Sequence, residues 1–223
     1  MLTVHHLENS RSQRVLWLME ELGLDYEIKH YKRDTKTSLA PPELKEIHPL
    51  GKSPVITDGE LVIAETGAIV EYVVGKYGEG RLVPQPGTPE HLRYTYWMHA
   101  AEGTVMPLMV MTLIFNRIET GAPWPVRPIA KAISGQVKAG YLGPNIKAVL
   151  GHMEAELGRT AWFAGEEFSA ADVQMSFPLE AAGARLEFRE SYPKLKAFLD
   201  TIHARPAYVA ALKKGGPYSL LRC

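Results

Sequence analysis

The sequence predicts a mixed α/β unit followed by an all-helical region, and three observations carry that division. Strand and helix patterns alternate through residues 1–80. Residues 78–89 are rich in proline and glycine and have no apolar period, as a linker would. Beyond residue 89 no strand pattern recurs. The predicted boundaries are therefore 1–80, a linker over 81–88, and a helical domain over 89–223.

Leu2-Thr3-Val4-His5 is short and extended. Val15, Leu16, Leu18, Met19 and Leu22 recur at helical spacing, and Gly23 supplies the stop. Tyr26-Glu27-Ile28-Lys29-His30-Tyr31 alternates like a half-buried strand, which makes a parallel strand–helix–strand crossover. Pro54 opens the apolar pair Val55-Ile56, and Asp58-Gly59 gives a hairpin signal before Leu61-Val62-Ile63. Ala68, Ile69, Tyr72 and Val73 then share one face of a helix over 68–77, with Val70 and Val74 forming a second apolar edge. Thr88 caps the first helix of the second region, with Pro89 at its first position. Long helices are expected over 89–119 and 128–158, shorter ones over 170–183, 192–203 and 206–213. Pro107 should end or kink the first of these. Ser169 and Asp172 make a capping-box pattern, with Phe168 placed to staple onto Val173.

Twenty-five basic residues balance 25 acidic ones, so no electrostatic footprint for nucleic acid or an anionic membrane is present. No apolar run approaches the roughly 18 residues that span a bilayer, and the start lacks a signal-peptide pattern. Cys223 is the only cysteine, which excludes an internal disulfide and suits a reducing cytoplasm. The eight histidines are scattered without metal-ligand spacing, so no metal is expected.

The chemistry concentrates in residues 48–56 and 65–69. A proline at the first residue of a strand leaves the preceding residue's backbone groups without a ladder partner. A helix start just after the hairpin adds unpaired N–H groups and a positive dipole end. Backbone donors, Lys52, Glu65 and Thr66 thus surround one cleft suited to a small zwitterionic, peptide-like ligand. An ordinary hairpin running into a capped helix accounts for the same spacing.

Together, Gly51-Lys52-Ser53-Pro54, Glu65-Thr66-Gly67-Ala68-Ile69, Ser169-Ala170-Ala171-Asp172, Tyr192-Pro193-Lys194-Leu195 and Ala204-Arg205-Pro206 carry a resemblance over nearly the whole chain. In this order and at these separations, the chain resembles the cytosolic glutathione transferase family. The resemblance implies a thioredoxin-like first domain that binds glutathione, an all-α second domain sharing a hydrophobic co-substrate site, and a homodimer. It implies conjugation of glutathione to a small hydrophobic electrophile, with glutathione as substrate and no cofactor. Glutathione-dependent peroxidase activity and a non-catalytic binding module are the alternative readings.

Carried over by residue, Pro54 is the family's cis-proline and Ser53 pairs its backbone with the cysteinyl part of glutathione. Lys52 approaches the glycyl carboxylate, Glu65 the γ-glutamyl ammonium and Thr66 the γ-glutamyl carboxylate. Aligning Arg14-Val15 with the same pair in serine-type members puts Ser10 on the catalytic hydroxyl. Ser12 and Asn9 are the alternative donors to sulfur, and Arg11 is either electrostatic support or a solvated charge. His5 and His6 stand near where tyrosine-type members carry a phenol. Ser10-Arg11-Ser12-Gln13 also fits a capping box. The co-substrate pocket is expected from residues 8–10 and from Met98, Glu102 and Met106, or Tyr96 and His99, with the Trp124-Pro125 loop as a lid.

Overall fold

The fold is taken from a computed structural model that describes residues 1–186 and 190–221; Cys223 lies outside them. The first part of the chain runs β1 (Leu2–Leu7), α1 (Ser12–Leu22), β2 (Glu27–Tyr31), α2 (Leu44–Ile47), β3 (Val55–Asp58), β4 (Leu61–Ala64) and α3 (Thr66–Tyr77). The strands form one sheet in the order β2-β1-β3-β4. β2 lies parallel to β1, whereas β3 is antiparallel to β1 and β4 to β3. The parallel pair needs a crossover, which α1 supplies, and the antiparallel pair needs only the turn at Gly59. Gly23 ends α1 at φ 64, a backbone conformation that a side chain would strain.

The second part is all helical: α4 (Pro89–Ala100), α5 (Met106–Gly121), α6 (Arg127–Val137), α7 (Gly143–Arg159), α8 (Ala170–Gly183), α9 (Pro193–His203) and α10 (Pro206–Gly215). Each of the two long helices expected from sequence is divided by a π turn, at Ala101–Val105 and Lys138–Leu142. Pro107 and Pro144 each follow such a turn. A proline lacks the N–H for the next helical bond, and the widened turn closes instead through Met106 N–H to Ala101 C=O and Gly143 N–H to Lys138 C=O. The run Pro89–Gly121 contains an 18-residue window of mean hydropathy 1.4, long and apolar enough by composition to cross a membrane. Of that window 44% is buried, and along the run Tyr94, Trp97, Met98, Met106 and Met109 enter the core.

One apolar core joins both parts, with α8 buried along nearly all its length. Val70 and Val74 belong to this core rather than to a free second edge, because α3 packs on both α1 and α8. Pro178 sits inside α8 and leaves the Gln174 carbonyl without its helical donor. The buried Arg14 guanidinium takes that carbonyl. Phe168 packs tilted against Trp17 at 5.6 Å and edge-on to Trp162 at 5.0 Å, beneath the Arg205 guanidinium at 3.8 Å.

Asp172 does more than close the capping box at Ser169. Its carboxylate accepts the Ser169 N–H at 2.8 Å, the Ser169 hydroxyl at 3.0 Å and the Phe163 N–H at 2.9 Å. Asp172→Ala strands two buried N–H donors and is expected to lower stability by about 3 kcal/mol, read as a fall in the urea midpoint. An unchanged midpoint would mean that water or a neighbour replaces the carboxylate. Burial pushes the Asp172 carboxyl up to about 6 despite these donors. Raised above its unfolded value, it contributes most below about pH 4 and loses that contribution as pH rises through 6.

Candidate functional site

A cleft of about 170 Å³ lies between the loop of residues 48–54, the end of β4 with the start of α3, and the π turn that follows α4. Lys52, Ser53, Pro54, Glu65 and Thr66 line it, together with Arg11, His48 and Glu102. A larger cavity, about 640 Å³, lies between the linker and residues 160–169, and none of the predicted site residues lines it. Chemistry, not size, therefore selects the smaller one.

The start of α3 builds one wall. Glu65 adopts φ 69 and ψ 126, a conformation unusual for a residue with a side chain, and it caps α3 without a side-chain bond. Strain of this kind concentrates at functional sites. The bond from Ile69 N–H to Glu65 C=O, at 2.9 Å, is the helix's first, so the N–H groups of residues 66–68 have no intrahelical acceptor. The Glu65 carboxylate is exposed and Thr66 is buried. Neither Lys52 nor Glu65 pairs with another side chain among the described residues. The Ser53–Pro54 peptide is cis.

Three hydroxyls meet beside the cleft; Ser53 lines it, whereas Ser10 and Ser12 lie buried behind it and do not. Ser10 Oγ lies 2.8 Å from Ser12 Oγ and 3.4 Å from Ser53 Oγ, and it accepts the Ser12 N–H at 3.2 Å. Two of these hydroxyls have committed their protons. Ser53 donates to the His5 carbonyl at 3.0 Å. Ser12 Oγ lies 2.8 Å from His6 Nδ1, and His6 Nε2 lies 3.0 Å from the Gly215 carbonyl. A carbonyl only accepts, so Nε2 carries the ring proton. Burial pushes the His6 imidazole down to about 4, against a smaller opposing effect of the Gly215 bond, so the ring is neutral at pH 7. Nδ1 must then accept the Ser12 proton. Ser10 in turn donates to Ser12 Oγ, which already accepts the Leu7 N–H at 3.2 Å, so of the three protons it is the one a stronger acceptor can draw away.

The remaining predicted residues are held in other ways. Helix α1 begins at Ser12 with Arg11 at its cap position. No side-chain cap bond forms there, and the Gln13 amide nitrogen is buried without a partner among the described residues. Asn9, at φ 52, accepts the Ser219 N–H at 2.7 Å through Oδ1. Arg33 bonds the carbonyls of Glu8 and Asn9 at 3.1 and 3.2 Å, pinning the loop that carries Ser10. Arg11 approaches Glu102 at 3.1 Å and stacks over the Phe177 ring. Glu102 also pairs with the buried Arg14.

Glu102 departs from the expected face. A regular helix groups it with Met98 and Met106, but the π turn inserts extra rotation, and both methionines enter the core while Glu102 enters the cleft. Tyr96 and His99 are exposed, with Tyr96 edge-on to Trp97 and His152. Trp124 is 82% exposed and does not line the cleft. Sequence reasoning noted His6 only for its place on the first strand and missed its bond to Ser12, because the Gly215 carbonyl that orients the ring is too distant in sequence to suggest the contact.

The model of the glutathione S-transferase N-terminal domain matches residues 1–75, and that of the C-terminal domain matches residues 135–206. Glutathione S-transferase 3 of Schizosaccharomyces pombe is 35% identical over 96% of this chain and 88% of its own length. Glutathione S-transferase 1 of Saccharomyces cerevisiae is 31% identical over 96% and 95%. Among solved structures, a glutathione S-transferase from Actinobacillus pleuropneumoniae is 33% identical, covers 100% of this chain and 97% of its own, and superposes with a TM-score of 0.79. Matching domains at both ends and relatives above 30% along nearly the full length agree with the cleft: the chain belongs to the glutathione S-transferase family.

Proposed function

We propose that this glutathione transferase activates its thiol with the Ser10 hydroxyl. Lys52, the backbone of Ser53 beside Pro54, Glu65 and Thr66 hold the tripeptide, and the thiolate adds to a small hydrophobic electrophile. The observation that carries the reading is the proton inventory: Ser12 and Ser53 donate to an imidazole nitrogen and a carbonyl, whereas Ser10 donates only to a hydroxyl and can turn to a thiolate. A hydroxyl donated to sulfur favours the anion and lowers the thiol's pKa. The helix start at Glu65 and Thr66 offers N–H groups to a carboxylate, while the unpaired Lys52 and Glu65 supply a cation and an anion for a zwitterion's other ends.

A peroxide is reduced by the same thiolate, so turnover decides between substrates. Chlorodinitrobenzene conjugation well above cumene hydroperoxide reduction is expected; the reverse order makes the peroxidase reading the right one. Retention on glutathione resin with neither activity would reduce the protein to a binding module. The role fits detoxification in the cytoplasm.

We also infer a two-fold homodimer. Leu92 and Tyr96 on α4 and Val110 and Ile114 on α5 leave apolar surface exposed, and such patches mark interfaces. Sedimentation at micromolar concentration is expected to give twice the 24.8 kDa chain mass. A monomer that still turns over would refute it.

A further inference from the structure

Behind Ser10 runs a directed chain of hydrogen bonds, Ser10 to Ser12 Oγ, Ser12 to His6 Nδ1 and His6 Nε2–H to the Gly215 carbonyl; Ser12 Oγ also accepts the Leu7 N–H at 3.2 Å and faces the Leu7 carbonyl at a longer 3.3 Å. All of its side chains are at least 95% buried. Such a chain can reverse in one concerted step and leave every member bonded. We propose that His6 is the terminal acceptor of the glutathione thiol proton, reached through Ser10 and Ser12. This rests on Ser10 being the group that meets the thiol.

In that step the S–H bond breaks and its electron pair stays on sulfur. The proton binds Ser10 Oγ, the former Ser10 proton passes to Ser12 Oγ, and the former Ser12 proton passes to Nδ1. Both serines end neutral, with their hydroxyls turned round. His6 becomes an imidazolium that donates from Nδ1 to Ser12 and from Nε2 to Gly215, and Ser10 donates to the thiolate. One proton moves from sulfur to nitrogen, and none enters the solvent. His6 touches no substrate atom; it acts through the two serines.

The surroundings of His6 are built for a ring that gains charge transiently. Gly215 is the last residue of α10, so its carbonyl belongs to the negative end of that helix and favours an imidazolium. It comes this close because it has no side chain: a Cβ there would lie 2.3 Å from Gln13 Oε1 and 3.0 Å from Leu16 Cδ1. Glu8, at the end of β1, also favours the charged ring. Against it stand burial and His30 on β2, whose ring meets His6 edge-on at 5.5 Å. The resting ring is therefore neutral and free to accept a proton, and the thiolate formed in the same step supplies the compensating negative charge. Ser12 on α1 completes the shell and carries no charge.

The test follows the proton. Glutathione is added to the unmodified protein at pH 7 in weak buffer with an indicator dye, while the ultraviolet thiolate band and the ¹⁵N signals of labelled histidine are recorded. The band is expected without net proton release, and the His6 Nδ1 signal is expected to move to the imidazolium position. S-methylglutathione, which has no thiol proton, should leave that signal in place. In Ser12→Ala, which cuts the chain but keeps the bond from His6 to Gly215, the band's midpoint should shift to higher pH and its formation should release one proton per site. Release of one proton per site by the unmodified protein with a neutral His6 overturns the relay, as does Ser12→Ala titrating like the parent. Ser10→Ala separates the two levels: if it abolishes the band while the unmodified protein still releases its proton, only the relay fails. If it leaves the band unchanged, the role of Ser10 fails with it.

Discussion

Ser10→Ala is expected to slow conjugation at pH 7 by up to about 30-fold while changing the glutathione KM by no more than about twofold. The ceiling comes from the thiol itself. With a pKa of about 8.5, roughly 3% of a free thiol is ionised at pH 7, so complete ionisation raises the reactive fraction about 30-fold and no further. The loss should shrink as pH rises and nearly vanish by about pH 9, where the thiol ionises unaided. Binding should barely change, because Lys52, Glu65 and Thr66 line the cleft and Ser10 does not. The measurement is kcat/KM for both proteins from pH 6 to 9, beside the thiolate band. A ratio constant across that range would show that Ser10 positions the sulfur without ionising it. A loss well beyond 30-fold that persists at pH 9 would give the hydroxyl a part in the addition step.

The elements whose causes are local were legible in the sequence. Gly23 after an apolar helical face, Asp58-Gly59 between two short apolar runs, and Ser169 three residues before Asp172 each act through their nearest neighbours. Glu65 and Thr66 were legible for the same reason, since a helix start exposes its N–H groups whatever packs around it. What escaped the sequence depends on distant partners or on a break in period. Val70 and Val74 looked like a free edge until α8 covered them. Pro107 signalled a disturbance but not that a π turn would absorb it, and so Glu102 was grouped with two core methionines. The same limit hid the commitment of Ser12. Residues 10–13 read first as a catalytic serine, with Ser12 or Asn9 and a capping box as alternatives, and the contact that bears on Ser12 comes from a histidine on β1 oriented by a carbonyl 209 positions away.

Removing the charge of Glu65 is expected to act in the opposite way to Ser10→Ala, with the glutathione KM rising about 30-fold and kcat nearly unchanged. A hydrogen bond to a charged group contributes about 1.5–3 kcal/mol, and the exposure of Glu65 favours the lower part of that range, so about 2 kcal/mol is expected. Glu65→Gln is the cleaner variant, because it keeps the side chain's length and the same backbone strain at φ 69 while deleting the charge. Folding should be unaffected, since the carboxylate neither caps α3 nor pairs with another side chain among the described residues. An unchanged melting temperature beside the raised KM therefore separates lost binding from lost structure. A glutaryl analogue of glutathione, which lacks the γ-glutamyl ammonium, completes a double-mutant cycle. The parent protein should bind this analogue about as weakly as Glu65→Gln binds glutathione, and Glu65→Gln should lose nothing further with it. If the variant weakens both ligands equally, Glu65 does not meet the ammonium, and the γ-glutamyl end lies elsewhere in the cleft.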